Sequence, residues 1–149
     1  MNIYFNTCCY GRPFDRQEQA KIAAETMAIM TAIDTCRIAG YIIIGSEAIT
    51  SEMEDIQTAK LRADIEGFYY RTINGSVPLT NSDFVRAESL RTAGLGDMDS
   101  LHLAAAEAAG VEFLLTTDED FERICTKKKL SIVKVINPLT FLTEAIKRK

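Results

Sequence analysis

Residues Leu95 to Phe121 read LGDMDSLHLAAAEAAGVEFLLTTDEDF. Gly94 and Gly96 punctuate, and Asp97 starts a helix of small residues through Ala109. EFLLT is then a short apolar run of β-formers, and Asp118 to Lys128 is helical again. Acids therefore stand at both ends of an apolar stretch, Asp97 and Asp99 before one helix and Asp118 and Asp120 after one strand. Helix capping accounts for each acid taken singly, because carboxylates satisfy and stabilise helix N-termini. Asp97 is the better candidate for a pure cap.

Outward from this stretch the chain alternates. NIYF is a buried strand ending near Asn6. GRPFD is a turn, and Asp15 opens a long helix whose Ile22, Thr26, Ile29, Ile33 and Cys36 form one inward stripe. Gly40 stops it, and YIIIG is a second buried strand. Ser46 caps EAITSEMEDI, and a further helix runs from about Thr58 to Ile73. NGS is a break and VPLT a brief extended piece, after which Asn81 or Ser82 caps a helix through Arg91. Downstream, SIVKVI is the last strand, and Asn137 and Pro138 start a terminal helix. This order predicts an α/β fold with a mostly parallel sheet covered by helices on both faces. Residues 1–149 read as a single domain, without repeat, low-complexity segment or linker.

Composition agrees. The 149 residues are 47% hydrophobic and 26% charged, enough for one core. No apolar run is long enough to span a bilayer, and the opening NIYFN lacks the basic and apolar regions of a signal peptide. The four cysteines form no CxxC pair and the chain has one histidine, which argues against a zinc cage and for free thiols in a reducing cytoplasm. The net charge of −4 does not advertise nucleic-acid binding, though nucleases concentrate acids at a metal and bases on a rim. The run Lys127, Lys128, Lys129 reads first as a solvated helix end.

In open parallel sheets, sites form beyond the carboxyl ends of the strands. That rule selects Asn6, Ser46 with the helix after it, and Thr116 to Asp118. Asp99, Asp118 and Glu52 can all reach that rim. Converging carboxylates repel unless a cation holds them, and oxygen-only ligands favour Mg²⁺ or Mn²⁺.

DSLHLAAAEAAGVEFLLTTDEDF closely resembles the signature of PIN-domain proteins: Asp at the start of a small-residue helix, a Leu-His-Leu-Ala core, a strand, then Thr-x-Asp. The opening NIYFNTCCYGRPFD and the closing VKVINPLTFL are similar to the two ends of a PIN subgroup, and the likeness is loosest from about Ile56 to Val85. The resemblance implies a three-layer PIN fold and a metal-dependent ribonuclease acting on RNA, like the VapC-type toxins of toxin–antitoxin pairs. It implies an antitoxin protein as partner and a homodimer as the assembly. The family's acidic quartet falls on Asn6, Glu52, Asp99 and Asp118, with Asp120 as an additional ligand. Thr116 matches a hydroxyl residue near the metal and Ser46 a polar residue at the end of strand two. Glu47 takes the place of Glu52 if the register of that helix shifts.

Asn6 departs from the family, which has Asp there. It offers a neutral oxygen and an NH₂ in place of a carboxylate. Gly11 and Arg16 also differ from the subgroup's Asn and Asp. These departures bear on activity more than on fold, and they motivate an alternative: a non-catalytic PIN module that binds RNA or protein. A receiver-like phosphoacceptor domain also gathers Asp at strand ends, but no mid-chain strand here ends in a lone Asp. His102, three residues after Asp99, reads as packing and hydrogen bonding beneath the site, with a general base as the alternative. Arg12 reads equally as a phosphate contact or as a partner for a nearby acid. Cys8 and Cys9 read as packing residues, because no His or basic cluster accompanies them.

Overall fold

The fold is described from a computed structural model covering residues 1–147. Five strands form one sheet: β1 (Asn2–Phe5), β2 (Ile42–Ser46), β3 (Gly75–Val77), β4 (Phe113–Leu115) and β5 (Lys134–Ile136). All pairings are parallel, in the order β3-β2-β1-β4-β5. Ile3, Tyr4 and Phe5 are all buried, as are Phe113, Leu114 and Leu115. Successive strand residues point to opposite faces, so burial of consecutive ones means that both faces are covered. The α/β prediction therefore holds.

Eight helices surround the sheet among the described residues: α1 (Thr7–Gly11), α2 (Ala20–Ala39), α3 (Glu47–Glu54), α4 (Ala59–Thr72), α5 (Asn81–Thr92), α6 (Asp97–Ala108), α7 (Glu119–Lys128) and α8 (Pro138–Lys147). α2 packs on α8, and α6 packs on α5 and α3. In α6 the small residues Ala104, Ala105 and Ala106 are buried with Leu103, which lets this helix lie close to its neighbours. The chain leaves β1 towards β2 and β3, then returns to β4 on the other side of β1. That reversal makes a crevice at the carboxyl ends of β1 and β4.

Several boundaries differ from the sequence reading. α1 was not anticipated: the Asn6 side chain accepts from Thr7 N at 2.9 Å and caps a short helix directly after β1. The long helix α2 begins at Ala20 and not at Asp15. Asp15 instead closes a 3₁₀ turn, Arg12–Phe14, where its carboxylate holds Arg12 at 2.8 Å. The chain then turns through residues 16–19, and Gln19 takes the N-cap position of α2. The edge strand β3 falls on the Gly-Ser-Val that follows Asn74. Asn74 exchanges hydrogen bonds with Ile43 at 2.8 and 2.9 Å and so sets β3 in register. Thr80, not Asn81 or Ser82, caps α5, in a reciprocal box with Asp83. Asp97 is not a cap either. Gly96 holds that position, and Asp97 sits in the first turn, exposed and 3.5 Å from Arg91. Gly40 does end α2, with φ +73°, as a left-handed C-cap requires.

Candidate metal centre

The ladder between β1 and β4 continues one residue past the strands: Asn6 N donates to Leu115 O at 2.8 Å. Thr116 N likewise donates to Ile136 O at 3.0 Å. These bonds set Asn6 and Thr116 side by side in the crevice. The Asn6 amide donates to Thr116 Oγ1 at 3.0 Å, and Asp118 N donates to the same oxygen at 3.1 Å. Thr116 thus ties the end of β1 to the start of α7. Both of these side chains, Asn6 and Thr116, are buried.

Asp118 serves two ends at once. Its Oδ1 caps α7, accepting from Asp120 N at 3.0 Å and from Phe121 N at 3.1 Å. The other oxygen has no hydrogen-bond partner among the described residues. Asp99, in the first turn of α6, makes neither a hydrogen bond nor an ion pair among them. Burial, then the Asp118 charge, pushes the Asp99 carboxyl from its ordinary value of 3.8 up to about 6. Cys8 and Glu52 add to the rise. Two carboxylates that repel, with no ion pair to hold the half-buried Asp99, make an arrangement that a cation would relieve.

Glu52 sits on α3 beside this pair. His102 Nε2 lies 2.9 Å from Glu52 Oε1. His102 Nδ1 lies 2.7 Å from the Tyr4 hydroxyl, which lies 2.7 Å from Ser46 Oγ. Ser46 also caps α3, as expected from its sequence position. The hydrogen bonds from His102 and Thr7 outweigh burial and leave the Glu52 carboxyl below its usual range, so it is ionised at neutral pH. His102 is therefore a buried hydrogen-bonding residue beneath the site, as the resemblance implied.

The remaining candidates lie further out. Asp120 is exposed and pairs with Arg123 at 2.9 Å. Glu47 accepts from Leu79 N at 3.1 Å, so the register of α3 turns Glu52, and not Glu47, to the rim. Arg12 holds Asp15 at 2.8 Å and Glu25 at 3.3 Å, yet also reaches Thr117 Oγ1 at 3.1 Å. Arg12 thus pairs with two nearby acids, the second of its two readings. Sequence reasoning gave no site role to Tyr4, Thr7 or Cys8. Cys8 Sγ receives Thr117 N at 3.4 Å and lies 3.5 Å from Thr116 Oγ1. A hydrogen bond from Cys9, with those from Thr116 and Thr117, lowers its thiol to about 6 against the effect of burial. The signal for Cys8 was its place two residues after a strand-end Asn. Tyr4 looked like any strand aromatic.

Among the described residues, no three His, Cys, Asp or Glu side chains stand close enough to form a ready metal cage. The donor set nevertheless suits Mg²⁺ or Mn²⁺ chemically. Mg²⁺ is commonly held by one or two carboxylates, with waters and substrate phosphates completing its shell. Asp99 and the free oxygen of Asp118 are such a pair. A cavity of about 360 Å³ opens beside Asp118, between Ala24 and Ala28 of α2 and Pro138 and Leu139 of α8.

An all-parallel five-stranded sheet with helices on both faces and two carboxylates near its switch point defines a small α/β domain. The family model of the PIN domain matches residues 14–127, well over half of the chain, and the protein belongs to the PIN domain family. The matched span includes Glu52, Asp99 and Asp118 and begins after Asn6. Among solved structures, a chain in the crystal structure of VapBC2 from Rickettsia felis, bound to a DNA fragment from their promoter, has a similar fold. It superposes with a TM-score of 0.56 at 14% identity, covering 92% of this chain and 98% of that one. No curated protein matches the sequence.

Proposed function

We propose that the protein is a metal-dependent endoribonuclease and the toxin of a type II toxin–antitoxin pair. The observation that carries this reading is the Asp99–Asp118 pair, in which a half-buried carboxylate without a hydrogen bond is raised to about 6 beside a second acid. Membership of the PIN family and the fold likeness to a VapBC2 chain support it. No helix among the described residues is long and apolar enough to cross a membrane, which is compatible with action in the cytoplasm.

In this reading Asp99 and Asp118 hold a Mg²⁺ or Mn²⁺ ion, with Asp120 available as an outer ligand. Such an ion supplies Lewis-acid polarisation of the phosphodiester and of a water. Asp118 can bind and cap at once, because its two oxygens are divided between the two tasks. Glu52, fixed through His102, orients the water. Asn6 contributes a neutral carbonyl oxygen, and its amide keeps Thr116 in place. Arg12 steadies a neighbouring phosphate. Cleavage by water yields 5′-phosphate and 3′-hydroxyl ends, as the resemblance implies.

A second reading has its own observation. The Asn6 carbonyl already caps α1 and its amide already bonds Thr116, so both ends of the side chain have a role in the fold. That suits a module that kept the PIN fold and binds RNA or protein without cutting. Incubation with a mixed RNA pool under Mg²⁺ or Mn²⁺ titration separates the two readings. Ion-dependent cleavage, abolished by a chelator, supports the nuclease. RNA retention without cleavage at any ion concentration supports the module.

A further inference from the structure

The buried chain Ser46–Tyr4–His102–Glu52 can be assigned proton by proton. A carboxylate at neutral pH accepts only, so the nitrogen 2.9 Å from Glu52, His102 Nε2, carries a hydrogen. Two states of the ring satisfy that condition: neutral with its hydrogen on Nε2, or doubly protonated. Ser46 decides between them. Its Oγ accepts from Ile49 N at 3.4 Å, and its only other partner among the described residues is the Tyr4 hydroxyl at 2.7 Å. If His102 Nδ1 carried a hydrogen, it would donate to Tyr4. Tyr4 would then donate to Ser46, and the Ser46 proton would have no acceptor in a residue that is 0% exposed. A buried orphan donor gives up its bond to water with nothing in exchange. In the other direction every hydrogen is used: Ser46 donates to Tyr4, Tyr4 donates to Nδ1, and Nε2–H donates to Glu52. Thr7 Oγ1, 3.4 Å from Nε2, fits the same scheme as a weaker acceptor that donates its own hydrogen to Glu52.

We propose that His102 is a positioning residue for Glu52, locked as the neutral Nε2–H tautomer by the one-way chain Ser46, Tyr4, and that it aims the Glu52 carboxylate towards Asp99 and Asp118. Without it, Glu52 would be free to turn to solvent from its half-buried place on α3. The proposal rests on the metal-centre reading for its consequence, and on the hydrogen-bond chain alone for its geometry. Residues that orient the groups around a metal typically cost 10–100-fold in affinity when removed.

The chain has a single histidine, so a long-range ¹H–¹⁵N spectrum of the whole protein shows one imidazole. At pH 7.5 and without metal, Nε2 should be pyrrole-type and Nδ1 pyridine-type. Glu52→Gln should shift the Nε2 signal, and Tyr4→Phe the Nδ1 signal. A pyrrole-type Nδ1 in the wild-type protein, or an Nε2 signal indifferent to Glu52→Gln, overturns the proposal. For the consequence, Mn²⁺ affinity is compared in the wild type, His102→Leu and His102→Gln. Leu keeps the bulk, whereas Gln also keeps a donor near the Nε2 position. Loss of about tenfold or more in Leu with recovery in Gln is expected, and a role in packing alone would affect both alike. Equal affinity in the wild type and His102→Leu overturns the positioning role. Wild-type protein that binds no Mn²⁺ contradicts the metal reading, and the imidazole spectrum then decides the proposal by itself.

Discussion

Asn6 is where this chain and the family's acidic quartet part. The residue is legible in the sequence as a strand end, but its employment is not. Only the fold shows that its oxygen caps α1 while its amide holds Thr116. Asp at this position keeps the capping oxygen and adds a charge to the rim at nearly constant volume. The Thr116 hydroxyl can turn and donate to it. Asn6→Asp should therefore lower the metal-free stability by on the order of 1 kcal/mol, the size of a one-unit pKa shift between neighbouring carboxylates. It should also enlarge the rise in melting temperature on adding Mn²⁺. Thermal melts with and without Mn²⁺ check both, and an unchanged Mn²⁺ response would place Asn6 outside the ion's reach. Asp99 gives a pH signature. The folded chain holds the Asp99 proton more tightly than the unfolded chain, so folding takes up a proton between pH 3.8 and about 6. Stability from this group falls as pH rises through that window; the penalty is absent below it and complete above it. Asp99→Asn should thus raise the metal-free melting temperature at pH 7.5 and leave it nearly unchanged below pH 4. A drop at pH 7.5 would mean the carboxylate is stabilised by contacts and not strained by them.

At the scale of elements, the alternation of strands and helices was readable because each buried strand is a short apolar run and each helix carries a stop or a cap. What escaped was set by partners distant in sequence. α1 exists because Asn6 caps it, and β3 has its register because Asn74 bonds Ile43. Asp15 closes a 3₁₀ turn held by Arg12, and α2 starts only after the turn over residues 16–19. Gly45 illustrates the same limit. In the sequence it looks like the end of a strand. In the fold it leaves room for Tyr69, whose hydroxyl accepts from Ser46 N at 3.1 Å, and a Cβ on Gly45 would lie 2.0 Å from that hydroxyl. Gly45→Ala should destabilise by about 1–3 kcal/mol through overpacking, and it should disturb Ser46 and hence α3. Urea denaturation measures the loss. A neutral result would show that Tyr69 moves aside at no cost.

For the whole molecule, the candidate site was partly legible because topology does much of the placing. Strand ends at a switch point gather Asn6, Thr116 and Asp118 whatever the details of the core. Glu52 was harder, since its approach depends on the register of α3 and on a histidine whose other partners come from β1 and α1. α2 leaves Met27, Met30 and Ile38 exposed, Ile38 at 83%. Such apolar side chains on one long helix are compatible with a homodimer, and light scattering should return the mass of two chains; a single-chain mass over a wide concentration range would rule that out. The account stands most directly on the carboxylate pair as a cation site. Asp118→Asn is a fair probe of it, because Asn caps a helix about as well as Asp and the fold of α7 should persist. Calorimetric titration of Mn²⁺ at pH 7.5 into the wild type, Asp99→Asn and Asp118→Asn should show binding to the wild type and at least about tenfold weaker binding, roughly 1.4 kcal/mol, to each folded variant. Undiminished Mn²⁺ affinity in both variants, or none in the wild type, would contradict it.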